Sequence, residues 1–211
     1  MPGPIYKLFQ ARFTEAWYQI SPEEQQQLST QVNAALEKAG GRRVVFCASL
    51  WANEEWGGFG VEEFPDVEAV QKQTDLLDAL HWYRYVESRT TLGTAVNESP
   101  AGDHTTAGRD AAGRPIYILW QARFREAWYQ LSADAQQQLG AKLDAAREQA
   151  GGRRLVLCTT AWSDEEWGGF GVEVFPDVEA VQQHTQLLMD LNWFRYIESR
   201  STLGTAADES P

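Results

Sequence analysis

Residues 56–62 read WGGFGVE, and the same seven residues return unchanged as residues 167–173. The match extends outward from this block in both directions. Residues 4–100 align with residues 115–211 at a constant offset of 111, without a gap, and 64 of the 97 aligned positions are identical. A unit of about 100 residues is too long for a solenoid motif and has the usual size of a domain. We predict two tandem domains, residues 1–100 and 115–211, joined by a flexible linker at residues 101–114.

Composition excludes several classes of partner. The 211-residue chain is 43% hydrophobic and carries a formal net charge of −12, with −6 in each repeat and zero in the linker. A nucleic-acid-binding protein needs a basic surface, so we predict no nucleic-acid partner. No apolar run approaches the roughly 18 residues of a membrane span, and the N-terminus lacks a secretory pattern. We therefore predict a cytoplasmic protein without a membrane partner.

Each repeat predicts the element order β-α-β-β-α-β. Residues 5–13 alternate in polarity as a strand does, and Ser21 with Glu24 forms a capping box that opens a helix. Gly40 supplies the left-handed stop of that helix, and Asp66 caps a second one. The remaining strands are predicted at residues 44–51, 59–64 and 83–89. Cys47 and Cys158 lie in apolar runs without metal or redox spacing, which predicts buried, reduced thiols.

The stretch VEVFPDVEAVQQH, residues 172–184, contains the pattern Glu-x-Phe-x-Asp-x-x-Ala-x-x-x-His. This pattern resembles the third strand and second helix of the dimeric α/β-barrel superfamily. The resemblance implies an α+β fold of two ferredoxin-like domains, which here would form an intrachain pseudo-dimeric barrel with a pocket between or beside the sheets. Members of the superfamily include cofactor-independent monooxygenases, isomerases, polyketide cyclases and haem-dependent chlorite dismutases.

Differences between the repeats assign the faces of the predicted sheet. Lys7 becomes Ile118 and Glu63 becomes Val174, which predicts a cross-strand pair on the face toward the helices. The opposite face would then carry Tyr6, Gln10, Arg12, Glu62 and Phe64, with their copies. Gly58 and Gly60 lie in the same strand, and glycines there leave space for a cavity.

These residues form the predicted site. The candidate catalytic residues are Arg12, Glu62, Arg123, Glu173 and His184, and the candidate ligand-binding residues are Tyr6, Gln10, Trp51, Trp56, Tyr117, Gln121, Trp162 and Trp167. An arginine could orient an anionic or carbonyl group while a glutamate handles a proton. Alternatively, the Arg–Glu pairs merely neutralise each other in the core, and the tryptophans pack an edge.

His184 has no histidine counterpart, because Gln73 holds its position in the first repeat. A symmetric metal site is therefore not expected, and we predict no metal. Our leading prediction is a small-molecule-binding protein or a cofactor-independent enzyme of the monooxygenase or isomerase type, with no cofactor. The alternative is a non-catalytic assembly or binding module, and a haem protein with an axial donor ranks third. Further homo-oligomers are compatible with each prediction.

Overall fold

The computed structural model describes residues 3–96 and 114–207 of the chain. The chain divides into two compact units, Met1–Ala95 with Ala206–Pro211 (unit 1) and Val96–Thr205 (unit 2), which we describe separately. Of the predicted linker, residues 101–113 lie outside the described residues. No helix among the described residues is both long and apolar enough to span a membrane.

Unit 1 contains four strands and three helices in its described part. They are β1 (Ile5–Phe13), α1 (Glu15–Tyr18), α2 (Pro22–Lys38), β2 (Arg42–Ala48), β3 (Gly58–Phe64), α3 (Val67–Ala79) and β4 (Val86–Ala95). Strand β1 pairs antiparallel with β3 and β4, and β2 pairs with β3. The sheet order is therefore β4-β1-β3-β2, which is the order of a ferredoxin-like domain.

Unit 2 repeats this series. Its elements are β5 (Ile116–Phe124), α4 (Glu126–Tyr129), α5 (Ala133–Gln149), β6 (Arg153–Thr159), β7 (Gly169–Phe175), α6 (Val178–Asp190) and β8 (Ile197–Ala206). Strand β5 pairs antiparallel with β7 and β8, and β6 pairs with β7. The α+β prediction is confirmed by this arrangement of helices and antiparallel strands.

The local helix signals are confirmed. The Ser21 hydroxyl accepts a hydrogen bond from the Glu24 N–H at 3.2 Å, and the Glu24 carboxylate accepts from the Ser21 N–H at 2.9 Å. In unit 2 the Ser132 hydroxyl still caps α5, while Ala135 returns no side-chain bond. Gly40 ends α2 with a φ of 82°, in the left-handed region that favours glycine.

The last strand of each repeat begins later than predicted. Strand β4 starts at Val86 rather than at residue 83, because a 3-10 turn takes up Trp82–Arg84. His81 enters this turn with a φ of 55°, and Asn192 does the same in unit 2. Histidine and asparagine are enriched among non-glycine residues with this conformation. The sequence prediction also missed the short helices α1 and α4.

An apolar layer joins the helices to one face of each sheet. In unit 1 it consists of Ile5, Leu36, Ala39, Phe64, Ala69 and Val70, and in unit 2 of Ile116, Ile118, Ala150, Phe175, Ala180 and Val181. Cys47 and Cys158 are buried thiols rather than parts of a disulfide, as predicted. Burial raises the pKa of the Cys47 thiol to about 12, so this thiol stays protonated.

The strand register corrects the predicted faces. Lys7 lies opposite Glu62 in the β1–β3 ladder, and Tyr6 lies opposite Glu63. Residues directly opposite each other share a face, so Glu62 points toward the helices with Lys7. The predicted Lys7–Glu63 pair is wrong by one residue, and a slip of one residue reverses every side chain of a strand. Phe64 belongs to the helix layer for the same reason.

The strand glycines accommodate aromatic rings. A Cβ added to Gly60 would come within 2.5 Å of the Phe9 ring and 2.9 Å of the Val45 carbonyl oxygen. In unit 2 the Trp120 ring occupies the corresponding place over Gly171. The space that suggested a cavity at Gly60 is thus occupied by the side chain of the neighbouring strand.

We expect Gly60→Ala to lower the free energy of unfolding by about 2 kcal/mol, because the added methyl group overpacks this contact. Gly140→Ala is the control, since nothing lies within 4 Å of the added Cβ on helix α5. That variant should be stabilised by about 0.5–1 kcal/mol. Urea unfolding of both variants measures the difference, and equal stabilities would contradict the ring contact.

Candidate functional site

Each unit buries a glutamate between its sheet and its helices. In unit 1 the Lys7 ammonium donates to the Gln73 side-chain oxygen at 2.6 Å, and the Gln73 amide donates to the Glu62 carboxylate at 2.9 Å. Lys7 also lies 3.5 Å from Glu62. All three side chains are buried. These contacts compensate for the water molecules that the Glu62 carboxylate loses when it is buried.

Unit 2 neutralises the corresponding Glu173 differently. Arg147 on α5 and Arg154 on β6 approach its carboxylate at 3.5 and 3.6 Å. Both arginines also contact Asp144, at 2.9 and 3.0 Å. The Arg147 side chain is 9% exposed, whereas Asp144 is about half exposed. Arg147 therefore links a surface carboxylate to a buried one.

The two units thus place the compensating cation on different elements. Lys7 of β1 and Leu36 of α2 in unit 1 correspond to Ile118 of β5 and Arg147 of α5 in unit 2. The positive charge has moved from the strand to the helix. The relevant sequence signal was a change from leucine to arginine at a position that is apolar in the first repeat, and the sequence prediction overlooked it.

His184 lies beside this arginine pair on α6. Its residue is 7% exposed, and its ring lies 5.0 Å from the Phe175 ring, centroid to centroid. The imidazole makes no hydrogen bond with any residue that the structure describes. Burial, and then the charges of Arg147 and Arg154, lower the pKa of His184 to about 4. The ring is consequently neutral at pH 7, with a free lone pair on one nitrogen.

The arginines are not fully hydrogen-bonded. The Nε group of Arg147 is buried without a hydrogen-bond partner among the described residues, and the Nε group of Arg154 lies 3.6 Å from the Glu173 carboxylate, beyond hydrogen-bond distance. Burial raises the pKa of Glu173, although the two arginines act in the opposite direction. The cluster is a buried, incompletely satisfied polar site, which is the kind of environment found where proteins bind ligands.

The predicted Arg–Glu pockets do not form within either unit. Arg12 is exposed and forms its ion pair with Glu87 of β4 at 2.5 Å, not with Glu62. In unit 2 Arg123 pairs with Glu198 at 3.0 Å rather than with Glu173. The register explains this separation, because Glu62 and Glu173 point toward the helices.

The remaining candidate residues are distributed over separate environments. Tyr6, Gln10, Tyr117 and Gln121 are buried strand residues, and Trp51 and Trp162 are half exposed. The Arg12 guanidinium lies 5.8 Å from the centre of the Trp56 ring, and Arg123 lies 6.0 Å from Trp167. Trp56 and Trp167 thus contact the predicted arginines.

A separate cleft in unit 1 involves none of these side chains. It has a volume of about 230 Å³ and is lined by Ile20, Glu24, Gln27, Leu28, Gln31, Leu80 and Tyr85. None of the predicted site residues contributes to its wall. Small-molecule pockets usually measure about 300–1,000 Å³, so this cleft is small for one.

Comparison with known proteins identifies a fold. No family model matches the sequence, and no curated protein matches it. A variant of the chlorite dismutase from Candidatus Nitrospira defluvii is similar, with a TM-score of 0.77 and 12% identity, over 98% of this chain and 92% of that chain. A haem-binding protein from Thermus thermophilus has a TM-score of 0.70 and 16% identity, over 99% and 93%. The chain has the chlorite dismutase fold.

This similarity corrects two predictions. The solved structures that share this fold include a chlorite dismutase and a haem-binding protein. They contradict the leading prediction of a cofactor-independent function. The prediction that no cofactor takes part is wrong for the same reason.

Proposed function

We propose that the protein binds haem in unit 2, where the imidazole of His184 would hold the iron. The observation that carries this proposal is a buried, neutral imidazole without a hydrogen-bond partner among the described residues, in a fold whose neighbours include a haem-binding protein. Histidine is a common axial ligand of haem iron, and only the neutral ring can donate its lone pair.

The side chains around His184 match the chemistry of haem. Arg147 and Arg154 would supply positive charge for the propionate groups, and the Nε group of Arg147 would supply an N–H donor. Phe175 supplies an apolar ring, whose centre lies 5.0 Å from the centre of the imidazole. Bound haem would supply a redox-active iron, while these residues would anchor the macrocycle and exclude water.

Unit 1 lacks the donor. Gln73 stands where His184 stands in unit 2, and both ends of its amide are engaged, with Lys7 and with Glu62. His81, the histidine of unit 1, is exposed at the turn before β4. We therefore propose one haem per chain.

Titration of the apoprotein with haemin tests the proposal. We expect the Soret band of haemin to shift on binding, with saturation at one haemin per chain, and His184→Gln to abolish the shift, because glutamine offers no nitrogen lone pair. His81→Asn is the matched control, since Asn192 adopts the same backbone conformation in unit 2, and it should bind like the unaltered protein. Binding that survives His184→Gln would contradict the assignment of the donor.

A second part of the proposal concerns how the two repeats are related and how they pair. We propose that the two units are tandem copies of one ferredoxin-like domain, forming an intrachain pseudo-dimeric barrel in a cytoplasmic protein. The support is the identity of 64 of 97 aligned residues between the repeats. Cysteine pairs placed on the two sheets and tested for disulfide formation would measure the pairing.

A further inference from the structure

Three of the differences between the units lie at or beside the buried glutamate. In unit 1 Lys7 and Gln73 contact Glu62, and Leu36 lies on the neighbouring helix; the residues at these three positions in unit 2 are Ile118, Arg147 and His184. Only one of the three, the exchange of glutamine for histidine, introduces a ligand donor. The other two together preserve the number of positive charges while changing where the charge is attached.

The position of the positively charged side chain determines whether the residue on the second long helix, Gln73 or His184, is already engaged in a hydrogen bond. In unit 1 the ammonium of Lys7 reaches across from β1 and donates to Gln73 at 2.6 Å. An imidazole at that place would accept the same hydrogen bond, and its lone pair would be engaged. In unit 2 the strand carries Ile118, which has no donor, and His184 has no hydrogen bond with the described residues.

Because unit 2 has Ile118 in place of the strand lysine, the buried Glu173 needs another positively charged partner. Arg147 supplies it from helix α5, with its side chain 9% exposed and its guanidinium 3.5 Å from Glu173. Arg154 assists at 3.6 Å, as Arg43 does at 3.8 Å in unit 1. The helix arginine thus replaces the strand lysine in the neutralisation of the carboxylate.

We infer that Arg147 is a positioning residue: it neutralises Glu173 from the helix side, so that the strand position opposite His184 can be apolar and the imidazole stays free to bind a ligand. The identity of that ligand rests on the proposed function. The state of the imidazole does not, and it can be measured in the apoprotein.

The decisive variant moves the cation back to the strand. Ile118→Lys combined with Arg147→Leu gives unit 2 the arrangement of unit 1 while Glu173 keeps a partner. In the ¹⁵N NMR spectrum of the apoprotein, the unprotonated nitrogen of His184 should shift upfield, because it accepts a hydrogen bond from the introduced lysine. Haemin affinity should fall by about 10-fold to 100-fold, the usual effect of altering the partners of a ligand.

Lys72→Gln is the matched control, because it copies an exposed difference between the repeats, and it should change neither signal. An unaltered His184 spectrum in a folded double variant would overturn the inference. If the unaltered protein binds no haemin, the proposed function fails, but the NMR comparison still decides the role of Arg147.

The reverse experiment builds the site in unit 1. Lys7→Ile, Leu36→Arg and Gln73→His together should create a second free imidazole and raise the haemin stoichiometry from one to two per chain. Gln73→His alone should not, because Lys7 remains in place to engage the ring. Equal ¹⁵N spectra for the new imidazole in the single and triple variants would contradict the proposed role of the cation.

Discussion

Lys7→Ile is expected to lower the free energy of unfolding of unit 1 by about 3 kcal/mol, because it leaves a buried carboxylate without its closest cation. Glu62 would keep the Gln73 amide at 2.9 Å and Arg43 at 3.8 Å, and neither replaces the ammonium group. Addition of Leu36→Arg should restore most of the loss, because unit 2 uses this combination at the same positions.

Urea unfolding followed by circular dichroism measures this pair of variants, with Lys72→Gln as a surface control that should stay within about 0.5 kcal/mol of the unaltered protein. Since the two changes concern one charge cluster, their effects should be strongly non-additive. A double variant as unstable as Lys7→Ile would show that the helix arginine cannot replace the strand lysine.

Acid is expected to destabilise unit 2 through His184. The pKa of this imidazole is about 4 in the folded protein and about 6.5 in an unfolded chain. Below pH 6.5 the unfolded state therefore binds a proton that the folded state does not, so stability is lost as the pH falls from 6.5 to 4. The full shift corresponds to about 3 kcal/mol, and partial access of solvent reduces our expectation to roughly 2 kcal/mol.

Comparison of unfolding at pH 7 and pH 4.5 for the unaltered protein and His184→Gln measures this contribution. Glu173 acts with the opposite sign, because its raised pKa makes the folded state bind a proton more readily as the pH falls. The unaltered protein and the His184→Gln variant both contain Glu173. The difference between their losses of stability on acidification therefore measures the contribution of His184. The His81→Asn variant should follow the unaltered protein, and a His184→Gln variant with the same acid sensitivity would refute the prediction.

The sequence predicted best what depends on neighbouring residues. Ser21, Glu24 and Gly40 act within one or two helical turns, so their pattern alone defined the ends of α2. The face of Glu62 depends instead on the register between β1 and β3, and an error of one residue moved it to the wrong side. The ends of α2 were therefore predicted correctly, whereas the face of Glu62, which depends on strand pairing, was not.

The cofactor prediction failed for a different reason. The lone status of His184 argued only against a symmetric metal site, and haem, which needs a single donor, was ranked third because no further signal in the sequence favoured it. The relevant environment is assembled from α5, β6, β7 and α6, which are distant in sequence. Arg147 would have indicated it, because an arginine at a core position of a helix requires a buried acid nearby.

The two buried thiols are natural chemical probes, one in each unit. Cys47 lies on β2 and Cys158 on β6, and both are closed to solvent in the folded state. A thiol reagent can modify either side chain only while its strand is transiently exposed, so the two modification rates report how often each half of the molecule opens. Mass spectrometry of peptides distinguishes the two sites, and thus the opening of each half can be followed without any engineered label.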